Sequence, residues 1–138
     1  MVNIVGTNYH EEVEFKNLDH SKQKLVGIKF ELCTFINCDF SNCDMADSTF
    51  VECKFVNCNL SLANVTKTAF NEIHFSKCKL LGIDFSKSRE FLLSFNFDEC
   101  ILSSCSFANL KIWSTQFKKC IMHDTQFVNT ELIGCIFD

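Results

Sequence analysis

The sequence predicts an all-β fold: a right-handed quadrilateral parallel β-helix of about seven coils over residues 13–138, behind a lead-in of residues 1–12. Three observations predict it. Large apolar residues recur at every fifth position from Phe15 to Phe85 and again from Phe97 to Phe137, with His20 the one polar exception. All 10 cysteines fall two places before such a residue. One register is occupied by phenylalanine alone, at Phe15, Phe35, Phe55, Phe75, Phe97, Phe117 and Phe137, provided that two residues are inserted between Phe85 and Phe97.

A period of five matches neither the 3.6 of an α-helix nor the two of a simple strand. The chain must therefore turn at every repeat. A square coil satisfies this, with each side a short extended segment that points its large central residue and the residue two before it inward. Four sides make a coil of about 20 residues, and coils stack like parallel strands about 4.8 Å apart. The phenylalanine register is side one. Side two then reads His20, Phe40, Leu60, Leu80, Leu102, Met122, and side three reads Leu25, Met45, Val65, Phe85, Phe107, Phe127. Side four reads Phe30, Phe50, Phe70, an interruption, then Ile112 and Leu132.

The interruption places the two-residue insertion near 88–94, on side four. An unbroken register would drive Glu90 into the tube, where an unpaired carboxylate is costly. The insertion reads either as a partner-contact loop carrying Phe91 or as a tolerated bulge in which Phe91, Leu92 and Leu93 fill the tube irregularly.

Cysteine at the smaller inward position acts as a small apolar side chain. Cys38, Cys58, Cys78, Cys100 and Cys120 are expected to form one vertical ladder of reduced thiols. Parallel stacked side chains do not have disulfide geometry, and the CxxxxC spacing follows from the repeat, so no metal site is expected.

Composition narrows the function. The formal net charge is −4, and no basic stripe exists to neutralise phosphates, so direct nucleic-acid binding is not expected. The first twelve residues lack the charged and apolar regions of a secretory signal, and no apolar run approaches the length of a membrane span. A cytoplasmic protein without cofactor is the expectation. The four histidines show no spacing to a nucleophile, serines such as Ser41 and Ser61 recur as corner residues, and no glycine-rich phosphate loop is present, so an enzyme is not expected.

The run CTFINCDFSNCDM resembles the cysteine form of the pentapeptide-repeat family, whose usual pattern is A(D/N)LXX, and the resemblance covers about residues 13–138. Within it, CNLSLANVTKTAFNEIHFSKCKLLGIDF is similar to a stretch of the quinolone-resistance Qnr proteins and of McbG-type microcin immunity proteins. The resemblance implies a dimeric DNA mimic that protects DNA gyrase or topoisomerase IV against quinolones or a gyrase-targeting toxin. The alternative is a structural scaffold with an unrelated partner.

Function must lie on the outside of such a rod. The candidate partner-binding residues are Asp39, Asp44, Asp47 and Asp84 on sides two and three, Glu52 and Glu72 stacked on side four, and Phe91 in the insertion. The acidic group reads as phosphate mimicry or as ordinary solvation. A second group is apolar and lies in the last coils: Ile101 above Ile121, Trp113 above Ile133, with Ile136 and Phe137. It reads as a homodimer interface through the C-terminal coils, or as the end of a chain shorter than its natural gene product.

Overall fold

Each repeat turns because one of its residues adopts a left-handed backbone. In the computed structural model, which describes residues 4–138, a residue of positive φ recurs at every fifth position along the regular coils, with φ between 49 and 62° wherever it is not glycine. Asparagine and glycine enter this region readily, but Leu32, Leu62 and Leu92 also do so, at a cost of roughly 1–2 kcal/mol each. Neighbouring coils hold most of these residues there. The Leu62 amide donates to the Leu81 carbonyl at 2.8 Å, and Asn42 N–H donates to Ser61 O at 2.9 Å. At the corners after sides two and three the chain closes type II turns, as where Cys43 N–H donates to Phe40 O at 3.0 Å.

The coils pair in parallel through two sheets. On side one, β2 (Glu14–Lys16), β4 (Thr34–Ile36), β6 (Lys54–Val56), β8 (Ile73–Ser76), β9 (Phe95–Asp98), β10 (Gln116–Lys118) and β11 (Ile136–Phe137) stack in sequence order. On side four, β1 (Tyr9–Glu11), β3 (Lys29–Glu31), β5 (Thr49–Val51) and β7 (Ala69–Asn71) do the same. Sides two and three pair through single bridges such as Asp39 with Asn59 and Ile101 with Ile121. The expected side-one register is observed in full: Phe15 pairs with Phe35, Phe55 with Phe75, Phe75 with Phe97 and Phe117 with Phe137. Its rings stack at 4.6–5.3 Å between centroids.

Three details differ from the sequence expectation. Seven phenylalanine rungs enclose six turns, so the rod has about six coils instead of seven, a length of about 29 Å. The coil also begins inside the segment read as a lead-in: Tyr9–Glu11 pairs with Lys29–Glu31, and the buried His10 ring stacks on Phe30 at 5.3 Å. Third, Phe91 and Leu92 do not fill the tube. They are 70% and 64% exposed, while Leu93 packs against the core from outside. Phe95 fills the space instead, with its ring 5.4 Å from Phe85 and 5.8 Å from Phe107. A large residue at a position usually held by cysteine makes an inward side-four residue unnecessary in that coil.

The insertion is bounded by hydrogen bonds. Arg89 N–H donates to Thr68 O in the regular register, and Ser94 N–H donates to Phe70 O three residues late. Glu90–Leu93 therefore swings outward, closed by Leu93 N–H to Glu90 O at 3.1 Å, and Glu90 reaches solvent. The corner just before it is tightened by a 3-10 turn at Phe85–Lys87, capped by the Asp84 carboxylate.

The 10 thiols are free; eight are buried, and Cys120 and Cys135 are half-buried. Ladder sulfurs donate to carbonyls of the coil before, as Cys58 Sγ does to Phe35 O at 3.3 Å. Cys78 Sγ donates to Phe55 O at 3.3 Å, and the neighbouring thiols of Cys100 and Cys58 together with burial push its pKa up, so it stays a neutral thiol.

Candidate protein-binding surface

The interior is filled, so the outward positions carry whatever recognition the rod performs. They lie in vertical rows, one residue per coil. The six acidic candidates divide into two kinds. Asp39, Asp44 and Asp84 sit just before central residues, and each turns one carboxylate oxygen onto the backbone two residues on: Ser41 N–H at 2.9 Å, Ala46 N–H at 3.1 Å and Ser86 N–H at 3.1 Å. Asp19 makes the same turn with Ser21, whose hydroxyl and amide hold the carboxylate pKa below its usual range. These aspartates brace corners. Asp47, Glu52 and Glu72 instead occupy left-handed corner positions and are exposed, with Asp47 at 3.9 Å from Arg89.

The corner between sides four and one is more acidic than the sequence reading allowed. Glu12 stands in the row of Glu52 and Glu72, and Glu11 and Glu31 stand one place before it in the row of Val51 and Asn71. The Tyr9 hydroxyl donates to Glu31 at 3.2 Å, and desolvation together with the charges of Glu11 and Glu31 pushes its pKa up to about 12. The sequence signal for these three residues was their position one or two places after side-four central residues, once His10 is counted among them.

Beyond the insertion the same corner turns apolar. Five residues, Glu90–Ser94, cover the stretch that three, Ile112–Ser114, cover in the next coil, which brings Phe91 and Leu92 above Trp113. Ile133 follows, 70% exposed. Trp113 is 54% exposed and held in place: its Nε1 donates to Glu131 at 3.0 Å, and Lys111 Nζ lies 5.8 Å from the ring. The row expected to join Ile101 and Ile121 exists as a bridge, with Ile101 half-buried and Ile121 exposed. Ile136 and Phe137 are each 48% exposed in the last coil.

The corner between sides one and two carries a shallow groove of about 430 Å³, lined by Asn37, Cys38, Asp39, Asn57, Cys58, Asn59, Lys77 and Lys79. Among the described residues no three histidine, cysteine or acidic side chains are grouped to hold a metal ion. Nor is any helix there long and apolar enough to cross a membrane. His10 and His20 are spent on the core: His10 Nε2 lies 3.0 Å from Ile4 O, and His20 Nδ1 lies 2.9 Å from Gln23 Oε1.

The five-residue turn, the square cross-section and the paired inward residues together carry the classification, and residues 28–89 match the family model described as a pentapeptide repeat region. The pentapeptide coil continues on both sides of it in the same geometry. No curated protein matches the chain. Among solved structures, a trypsin-treated form of QnrB1, a plasmid-mediated fluoroquinolone resistance protein, is 20% identical over 92% of this chain and 74% of its own, with a TM-score of 0.45. Rfr23, a pentapeptide repeat protein from the cyanobacterium Cyanothece 51142, is 12% identical over 94% and 88%, with a TM-score of 0.46. HetL, a pentapeptide repeat protein involved in heterocyst differentiation regulation from the cyanobacterium Nostoc sp. strain PCC 7120, is 14% identical over 93% and 84%, with a TM-score of 0.39.

Proposed function

We propose that this chain is a cytoplasmic, non-enzymatic binding protein that acts on a type II topoisomerase, protecting it from a quinolone or a gyrase-targeting toxin. The observation that carries this reading is the exposed carboxylates of Glu52 and Glu72, with Asp47 paired to Arg89 at 3.9 Å, presented on a rigid rod at left-handed corners. Successive coils set such charges about 4.8 Å apart, and the narrow rod fits a groove built for a charged polymer. The similarity of residues 58–85 to a stretch of the Qnr and McbG-type proteins points to the same partner. Phosphate mimicry then rests on the corner carboxylates, because Asp39, Asp44 and Asp84 each commit an oxygen to their turns.

DNA supercoiling by gyrase, with and without a fluoroquinolone, tests this. Recovery of supercoiling at micromolar protein is expected, with loss of recovery in E52K/E72K; no recovery by the unaltered chain rejects the reading. The half-exposed Phe137 and Ile136 with Ile121 further suggest a homodimer through the C-terminal coils, which a single-chain mass by light scattering at tens of micromolar overturns. A second reading, an interaction scaffold for an unrelated partner, is favoured by the fixed, exposed Trp113.

A further inference from the structure

The corner between sides four and one changes chemistry along the rod at one place. Glu52 and Glu72 stand on it in successive coils, followed by Phe91 and Leu92, then Trp113, then Ile133. The four apolar side chains are 54–70% exposed and lie in three successive coils of this corner. An exposed apolar run of this kind on a soluble rod marks a contact site. Its backbone is also distinct. Up to Asn71 the corner joins paired strands; after the loop it closes hydrogen-bonded turns, with Thr115 N–H to Ile112 O at 3.4 Å and Cys135 N–H to Leu132 O at 3.0 Å. Trp113 is oriented before any partner arrives, by Glu131 at its N–H and Lys111 at its ring. A pre-positioned aromatic loses little freedom on contact, which favours it as an anchor.

What covers this run is indicated by the charge beside it. Glu52 and Glu72 form no ion pair within 4 Å among the described residues, and they stand at this corner one residue along from the row that runs through Val51 and Asn71 toward Trp113 and Ile133. A partner that buries Phe91 and Trp113 therefore meets uncompensated negative charge at one end. We propose that this corner is a two-part docking edge for a segment of a partner protein, basic where it meets Glu72 and Glu52 and apolar where it meets Phe91, Trp113 and Ile133. The idea rests on the reading that the rod works by binding. Four coil steps separate Glu52 from the last apolar row, about 19 Å, which an extended segment covers with about six residues.

Trp113 is the only tryptophan, so its emission reports this corner alone. The probe is a ten-residue peptide of four lysines followed by leucines and phenylalanines, compared with a peptide of the same composition in which the two kinds alternate. Block-peptide binding is expected to shift Trp113 emission to the blue, to be at least tenfold tighter than the alternating peptide at low salt, and to weaken as salt rises. E52K/E72K is expected to weaken the block peptide at least tenfold without altering the emission of the free protein; F91S is expected to weaken it while leaving the salt dependence in place. No emission change, or equal binding of the two peptides, overturns the proposal. So does a dimer that F91S dissociates, which would make a second copy the occupant. Gyrase protection without peptide binding removes this edge and leaves the topoisomerase reading; peptide binding without gyrase protection does the reverse.

Discussion

Leu80, Leu102 and Met122 hold the same place on side two in three successive coils, yet the first two are fully buried and Met122 is half-exposed. Side three repeats the pattern with Phe85, Phe107 and Phe127, and side one with Phe97, Phe117 and Phe137. Below the loop the rod behaves differently at its outermost coil. There Ile4 is fully buried against the first coil, with its carbonyl at His10, and Phe15 and Leu25 are shielded. The difference shows that the repeat does not itself confer burial. An inward side chain loses its water only when a coil, or a residue such as Ile4, lies on each side of it. The same contrast holds outside: before Glu90 the corner joins paired strands and carries Glu11, Glu31, Glu52 and Glu72, and after it the corner closes turns and carries Trp113 and Ile133.

The largest effect that tests this contrast is a ring removed from the middle against one removed from the end. Phe55 lies between Phe35 at 4.6 Å and Phe75 at 5.1 Å and is fully buried. Phe55→Ala is expected to cost about 3–5 kcal/mol in urea denaturation. Phe137→Ala, at a site already 48% exposed, is expected to cost roughly half that or less. Equal losses would mean that position in the stack is irrelevant.

A smaller effect bears on the divide itself. Deleting Glu90 and Phe91 restores the 20-residue period and brings Leu92 to the inward place on side four, beside Phe95. That crowds the tube, at about 1–3 kcal/mol. Phe95→Cys alone empties it, at about 3 kcal/mol. Combined, the two changes should recover most of both losses. Simple addition in a double-mutant cycle would show that Phe95 does not stand in for the missing residue.

The smallest effect concerns thiols. Burial pushes the pKa of Cys43 and Cys105 up to about 12, and Cys105 Sγ donates to Leu80 O at 2.7 Å. A folded pKa raised above the unfolded value of about 8.5 stabilises fully below that pH, and the contribution is lost as pH rises toward 12. The denaturation midpoint should therefore fall between about pH 8.5 and 11, less steeply in Cys105→Ala. Alkylation of the native protein should reach Cys120 and Cys135 before the eight buried thiols; early modification of Cys105 would contradict the packing described.

Much of this was legible without coordinates. The period of five, the phenylalanine register and the insertion follow from residue spacing, because central residues other than the histidines are apolar and one misplaced Glu90 would be costly inside. Two kinds of fact were not legible. Whether an aspartate is a free charge or a corner brace depends on which way its carboxylate turns, and Asp39 and Asp47 look alike in a sequence while one binds the Ser41 amide and the other faces Arg89. The loop was readable as a place and unreadable as a conformation, because Phe91, Leu92, Leu93 and Phe95 are all able to fill a tube, and only packing selects Phe95. The sequence by itself determined the coil, its register and its reduced cysteine ladder, since these are properties of a repeat. The tertiary structure decided which carboxylates remain free, where the corner changes from acidic to apolar, and that Trp113 is fixed there, since these depend on contacts between residues a full coil apart.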